Sequence, residues 1–296
     1  MTKILTLFCA LWLCSINLVF AADSSLNTAK IEELTGVKGK LNEKEGVFKV
    51  TLPRTDIKAT VAGVKMNPEL GLSAWAAFTQ AGDHTMVMGD MVLLEEQVNP
   101  VMSVALDNGL EVTALHNHFL WDSPRIMFMH IGGMGDELTL AKAVGQVFNK
   151  LKATRDTKPA APNTDIDPMN SSLDPNKIAA IIGTAGSMKD GVYKIVIGRK
   201  AKMGEHEVGK EMGLNTWAAF AGSDDKAIVD GDFAMLENEV QSVLKILRGA
   251  GINIVAIHNH MINETPRYVF LHYWGVGATT DLAKALKAAL DTQSMQ

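Results

Sequence analysis

Cysteine is nearly absent from this chain of 296 residues, which contains only Cys9 and Cys14. Both lie in an apolar run, from Ile4 to Phe20, that follows a single charged residue, Lys3. This arrangement, ended by the small residue Ala21, is typical of a secretory signal peptide, and we predict cleavage after Ala21. The mature chain is then expected to have no disulfide bonds and no thiolate metal ligands.

A lipid anchor is not expected either. Trp12 and Leu13 precede Cys14, and both are too bulky for the signal that directs lipid attachment to a cysteine. No second apolar stretch is long enough to span a membrane. The sequence therefore predicts an exported, periplasmic protein with no membrane anchor after signal cleavage.

Clustered positive charge is also missing. The net charge is −5 and becomes −6 when Lys3 is lost with the signal, and Lys and Arg are not grouped, so nucleic acid is not expected as a partner. Neither a Gly-x-Ser-x-Gly elbow nor a Gly-x-x-x-x-Gly-Lys-Ser/Thr loop occurs. These absences argue against a serine hydrolase and a phosphate-binding loop, and we expect no nucleotide or flavin cofactor.

The chain does contain a tandem repeat. His116-Asn117-His118 recurs 142 residues later as His258-Asn259-His260. Residues 71–143, aligned without a gap to residues 213–285, share 29 identities in 73 positions. The chain is therefore a duplication, and six of its eight histidines occupy repeated places.

The residue pattern of each repeat predicts an α+β fold. Alternating apolar and polar residues indicate strands, and apolar residues at helical spacing indicate helices. After a short helix at 24–33 and a hairpin at 37–56, the elements predicted from Ser73 of the first repeat are strands 73–80 and 84–93, helix 95–108, strands 110–118 and 125–131, and helix 136–151. This order, β-β-α-β-β-α, is expected to give an antiparallel sheet with helices on one face. The predicted organisation is a signal peptide at 1–21, a first repeat at 22–152, a linker at 153–172 and a second repeat at 173–296.

The repeated histidines indicate a metal site. In a strand, alternate side chains share a face, so His116 and His118 point the same way. His130, in the next strand, joins them only if the two strands pair so that the numbers of partner residues sum to an even value, and the sequence does not decide that register. Three imidazoles on one face suit Zn²⁺ or Cu²⁺. The predicted ligands are His116, His118, His130, His258, His260 and His272.

Other repeated polar residues could complete such a site. Possible further ligands, or partners of the ligands, are Asp122, Glu264, Asp90 and Asp232, and possible anion-binding residues are Arg125 and Arg267. Each has a structural alternative. The two Gly-Asp pairs could shape a turn or cap a helix, and the arginines could pair with the acids of the histidine loops. The histidines themselves could form a satisfied pair in a core or cleft.

Methionine is frequent in the first repeat, and thioether sulfur suits Cu(I). Six of these methionines are compared with their counterparts in the second repeat: Met86, Met88, Met91, Met102, Met127 and Met129. At those counterparts the second repeat has no methionine, and five of the six residues are apolar. We therefore predict that these methionines fill the core. The repeated Trp75 and Trp217 are likewise assigned to core strands.

Several motifs together resemble a known family. In the second repeat these motifs are Gly231-Asp232, Ala256-Ile257-His258-Asn259-His260, Pro266-Arg267 and Phe270-Leu271-His272. In the first repeat they are Gly89-Asp90, His116-Asn117-His118, Pro124-Arg125 and His130. This set resembles the LppY/LpqO family of exported proteins, although those members are lipoproteins and this chain lacks their lipid-attachment signal. The resemblance implies secretion, a duplicated α+β domain and a histidine-rich site, and it implies no established activity.

The sequence thus favours a periplasmic protein that binds zinc or copper through duplicated histidine sites. A metal-dependent hydrolase, in which a metal-activated water attacks an ester, amide or phosphate, would use the same residues. A metal-free module that binds a small ligand or a partner is the third possibility.

Overall fold

The computed structural model describes residues 26–155 and 164–294. The predicted signal peptide and most of the predicted linker's first half lie outside these residues. The helices in the described ranges are α1 (Thr28–Thr35), α2 (Val98–Asp107), α3 (Glu137–Ala153), α4 (Pro175–Ile182), α5 (Val240–Gly249) and α6 (Thr279–Leu290). None of them is long and apolar enough to cross a membrane.

The strands are similarly divided between the two repeats. Those of the first repeat are β1 (Gly39–Asn42), β2 (Val47–Pro53), β3 (Thr60–Val61), β4 (Val64–Lys65), β5 (Ser73–Ala81), β6 (His84–Leu94), β7 (Glu111–His116), β8 (Asp122–Ser123) and β9 (Ile126–Gly135). Those of the second are β10 (Ser187–Lys189), β11 (Val192–Gly198), β12 (Ala201–Met203), β13 (His206–Val208), β14 (Asn215–Gly222), β15 (Ala227–Leu236), β16 (Asn253–His258), β17 (Glu264–Thr265) and β18 (Tyr268–Gly277).

Twelve strands form one continuous sheet, in the order β1-β2-β5-β6-β9-β7-β16-β18-β15-β14-β11-β10. Each adjacent pair is antiparallel. The remaining strands form two small sheets, β4-β3-β8 and β13-β12-β17. The prediction of a mixed fold with a large antiparallel sheet is therefore confirmed. The simple order β-β-α-β-β-α from Ser73 is not confirmed, because a two-residue strand, β8 or β17, precedes the last long strand of each repeat. The short helix and the hairpin predicted before Ser73 correspond to α1 and to the pair β1–β2.

Strand alternation assigns the two faces of the sheet. On β6 and β9, residues such as Met91, Met129 and Ile131 point to one face and join the main core, to which helix residues such as Val101 and Leu140 also belong. All six helices contribute to this core, so they cover that face. The opposite face carries the histidines, and two smaller apolar clusters lie on it beneath the small sheets.

A local two-fold relation joins the repeats. Strands β7 and β16 pair at Leu115 and Ile257, which occupy the same position in the two repeats. An interface in which equivalent residues meet is the intramolecular counterpart of a symmetric dimer contact. Helices α2 and α5, which are also equivalent, contact each other on the helix face. Both histidine regions consequently lie on one face of one sheet.

The Gly-Asp pairs lie within strands, so the alternative that they form turns is wrong. Glycine is required there because a side chain would collide with its neighbours. A Cβ on Gly231 would lie 2.1 Å from the hydroxyl oxygen of Tyr273, and one on Gly89 would lie 2.7 Å from the Trp75 carbonyl oxygen. Strand alternation places the aspartate after each glycine on the opposite face, opposite His130 or His272.

Candidate metal centre

The strand register brings each histidine triad onto one face. His116 pairs with Phe128, and Ala114 pairs with His130, so the partner numbers sum to an even value and His116 and His130 share a face. His118 lies two residues beyond the end of β7, although the sequence predicted it within the strand. Its ring stacks on Phe128 at 3.4 Å between centroids, which keeps it beside the other two histidines.

The second triad is arranged in the same way. Strand β16 ends at His258, and the ring of His260 stacks on Phe270 at 3.5 Å between centroids. The ring of His258 lies 5.0 Å from that of His260 and 4.8 Å from that of His272. One nitrogen from each of these histidines can be chosen so that all three lie within 4.8 Å of one another. A metal ion placed between them could therefore be reached with small side-chain movements.

The first triad is less convergent. The rings of His116 and His118 lie 5.1 Å apart and differ in plane by 17°, whereas those of His258 and His260 differ by 47°. In the part of the chain that the structure describes, the group of possible ligand residues whose donor atoms all lie within 4.8 Å of one another is His258, His260 and His272. The second repeat therefore has the better-formed site.

A buried aspartate lies beside each triad. Asp90 pairs across the strands with His130, and Asp232 pairs with His272. The two aspartate residues are 8% and 3% exposed, and one carboxylate oxygen of each, Oδ1, is buried without a hydrogen-bond partner. The other oxygen of Asp232 lies 3.4 Å from Nε2 of His260. An ionised carboxylate in such a place is costly unless a cation or a donor accompanies it.

The pKa shifts of His258, His260 and Asp232 are those expected where a cation would replace protons. Burial lowers the pKa of His258, and the neighbouring His272 and His260 lower it further. Burial also lowers the pKa of His260, against a backbone hydrogen bond with Gly213. Neutral imidazole is the form that binds metals. Burial raises the pKa of Asp232 to about 7, an effect that Asp230 increases and His272 opposes.

Asp122 and Glu264 lie in the loops that follow the histidine motifs and bond to the backbone of those loops. Asp122 accepts a hydrogen bond from the backbone N–H of Ile126, and Glu264 accepts one from that of Tyr268. In each repeat the acid accepts from the residue four positions later in the chain, and a cis proline, Pro124 or Pro266, lies between the two. One carboxylate oxygen of each acid thus holds the start of the following strand. Oε2 of Glu264 is buried and without a hydrogen-bond partner.

The two arginines lie at the exposed ends of the same loops. Arg125 is exposed. Nε of Arg267 lies 3.7 Å from a carboxylate oxygen of Glu237, and both side chains are largely exposed. The pairing partner of Arg267 is thus Glu237 rather than Glu264, which the sequence had offered as its structural alternative.

Sequence reasoning missed a lysine–tryptophan pair beside each aspartate. Trp75 is only partly buried and pairs across the strands with Asp90, on the histidine face. The ammonium of Lys49 lies 4.0 Å from the centre of its indole ring, as in a cation–π contact. Lys194 and Trp217 repeat this contact at 4.1 Å. The sequence contained a signal for these pairs, because Lys49 and Lys194 occupy equivalent positions in β2 and β11, the strands of alternating apolar and polar residues that precede the two tryptophans.

The family comparison agrees with the duplication. The family described as Domain of Unknown Function (DUF1259) matches residues 29–150 and again residues 176–292, which is most of the chain. The chain belongs to this family. Its two matched segments are the two halves of the twelve-stranded sheet, so the duplicated domain of unknown function is confirmed. No curated protein and no solved structure matches the chain.

Proposed function

We propose that this DUF1259 member binds a divalent transition metal, zinc or copper, at His258, His260 and His272. The observation that carries the proposal is the convergence of three imidazole donors within 4.8 Å on one sheet face. Nitrogen ligands in this number suit Zn²⁺ and Cu²⁺, and zinc sites take a fourth ligand from a carboxylate or water.

Asp232 is the proposed fourth ligand or the partner of a ligand. Its buried oxygen without a hydrogen-bond partner and the buried Nδ1 of His258, which is also without one, are groups that a bound cation and its ordered ligands would satisfy. Glu264 and Asp122 are assigned to loop support, because each already accepts a backbone hydrogen bond. The triad of the first repeat, with Asp90, is the weaker second site.

Elemental analysis of the untagged mature protein tests this proposal. We expect about one zinc or copper per chain in the wild type, loss of that metal in the His258→Ala/His260→Ala double variant, and retention in His116→Ala/His118→Ala. His84→Ala, which removes an exposed histidine at the β5–β6 turn, is the matched control and should keep the metal. Asp232→Asn should weaken binding by about 10- to 100-fold. A wild-type protein that binds neither metal after incubation with both would contradict the proposal and favour a metal-free binding module.

Hydrolysis is a second candidate function, which the Lys194–Trp217 pair favours. This pair lies on the same face as Asp232 and is repeated in the other half, so a ligand at the metal could contact it. If Asp232 is the partner of His260 and not itself a ligand, the three histidine ligands leave a position for a water whose pKa the metal would lower. Ester and phosphate hydrolysis should then require the metal and be lost in His258→Ala/His260→Ala. Metal binding without hydrolysis would instead indicate storage or delivery.

We also propose export to the periplasm. The apolar run before Ala21 and the resemblance of the histidine motifs to the LppY/LpqO proteins support it. N-terminal sequencing of the protein from a periplasmic fraction should begin at Ala22. A mature chain that retains Met1 would contradict this part of the proposal.

A further inference from the structure

Three methionines of the first repeat lie outside the core, on the histidine face. Met88 is 58% exposed and Met134 is 64% exposed, and Met86 is partly buried. The other methionines considered from the sequence behave as core residues, as predicted; these are Met91, Met102, Met127 and Met129. Core packing therefore does not account for Met86 and Met88, and Met134 was not considered from the sequence.

The strand register places the three thioethers together. Met86 on β6 is directly opposite Met134 on β9, and Met88 is the next residue of β6 on the same face. Opposite side chains in antiparallel strands have Cβ atoms about 4.5–5.5 Å apart. Met88 is opposite Gly132, which has no side chain and leaves room above it. Because methionine is unbranched and flexible, its sulfur atoms can converge from these positions.

The second repeat lacks this arrangement. Ile228 and Val276 occupy the places of Met86 and Met134, and Asp230 occupies that of Met88. The two repeats therefore keep the same fold here without any sulfur. If these three positions required only exposed apolar side chains, methionine would not be needed at all three of them.

We propose that the first repeat binds Cu(I) through the thioether sulfurs of Met86, Met88 and Met134. Thioethers are soft ligands that select Cu(I) over zinc and other divalent ions, which prefer imidazole and carboxylate. Three such sulfurs are able to surround one ion from the solvent side of the sheet. On this face of the sheet, His130 and Asp90 form the next cross-strand pair after Met88 and Gly132, so the methionine site lies at the edge of the first histidine triad. This site does not depend on the metal proposed for the second repeat.

The test is an anaerobic titration of the whole mature protein with Cu(I), in competition with bicinchoninate as a coloured Cu(I) chelator. The triple variant Met86→Ile/Met88→Leu/Met134→Val replaces each thioether with an apolar side chain of similar size, two of them taken from the second repeat. Since these residues are on the surface, the variant should fold, which circular dichroism can verify. We expect one Cu(I) equivalent in the wild type and an affinity at least about 100-fold lower in the variant. Met88→Leu alone should give a smaller loss.

Two controls separate this site from the histidine site. Met169→Leu removes another exposed methionine, 69% exposed and outside the sheet, and should leave Cu(I) affinity unchanged. His258→Ala/His260→Ala should keep the Cu(I) equivalent, and the triple methionine variant should keep zinc. X-ray absorption of the Cu(I) protein should show sulfur neighbours. No Cu(I) binding in the wild type, unchanged affinity in the triple variant, or loss of Cu(I) only in the histidine variant would each overturn the proposal.

Discussion

In the loop that follows each His-Asn-His motif, one residue has a left-handed backbone conformation, and its residue type differs between the two repeats. Trp121 has φ 61° and Asn263, its counterpart, has φ 68°. The left-handed region costs most side chains about 1–2 kcal/mol, and Asn tolerates it better because its short polar side chain can bond locally. Trp121 is also 78% exposed, so its indole ring gains little from burial. The first repeat therefore keeps a strained, exposed aromatic residue where the second does not.

Replacing Trp121 with the residue of the second repeat should relieve this strain. We expect Trp121→Asn to raise the free energy of unfolding by about 1 kcal/mol, measured by urea denaturation of the mature protein. Leu120→Asn is the control, because the neighbouring Leu120 is 70% exposed and does not have a positive φ. A stability gain of equal size in both variants would show that exposure, not backbone strain, is the cause.

At the scale of elements, close packing between helices depends on one glycine. A Cβ on Gly145 of α3 would lie 2.1 Å from the backbone oxygen of Leu34 in α1. A Cβ on Gly249, at the end of α5, would have no neighbouring atom within 4 Å. Gly145→Ala should therefore lower the free energy of unfolding by about 1–3 kcal/mol through overpacking. Gly249→Ala should raise it by at most about 0.5 kcal/mol, because alanine favours the helix and a terminal helical residue shows only part of the difference measured in a helix interior.

Thermal and urea unfolding of the two glycine variants measure this difference. Both substitutions add the same methyl group to a helix, at the middle of α3 for Gly145 and at the last residue of α5 for Gly249, and the space around the added methyl group differs. If both variants gained stability, the contact between α1 and α3 would be looser than its geometry indicates. If both lost stability, Gly249 would have a role that its open surroundings do not explain.

The elements around the site were predictable where local pattern determined them. Alternation placed His116 on a strand face, and the offset of 142 residues located the second triad. The inclusion of His130 depended on the register of β7 against β9, which pairing between distant residues decides. The small sheets were not predicted, because their strands have only two or three residues each and show no clear period. The exposure of Met88 was missed because alternation alone does not show which sheet face the helices cover.

At the scale of the whole molecule, the repeats form one structure rather than two linked domains. The sequence predicted a sheet in each repeat, but nothing local indicates that β7 and β16 pair at Leu115 and Ile257. This pairing satisfies two strand edges that would otherwise be open to other chains. It also places both histidine triads on one continuous face, so the proposed metal sites share a common surface.

Two side-chain amides reinforce this junction symmetrically. Asn99 donates to the carbonyl of Ile254 and accepts from its N–H, at 3.2 and 2.8 Å. Gln241, the counterpart of Asn99, does the same for Val112, at 2.9 and 3.0 Å. Val112 and Ile254 border the irregularities where the ladders of β7 and β16 are interrupted. Each amide from one repeat thus satisfies both the N–H and the carbonyl of one backbone residue in the other.

Removing either amide should weaken the whole molecule. Asn99→Ala and Gln241→Ala should each lower the free energy of unfolding by about 1–3 kcal/mol, because each leaves a backbone N–H and carbonyl unpaired at the junction. Asn108→Ala is the control, since its exposed side chain bonds only to Val104 in its own helix, and it should cost less than about 0.5 kcal/mol. Urea unfolding followed by tryptophan fluorescence and by circular dichroism should give one coincident transition in every variant. Two separate transitions in the wild type would contradict a single cooperative structure, and an unchanged midpoint in both amide variants would contradict the role of the amides.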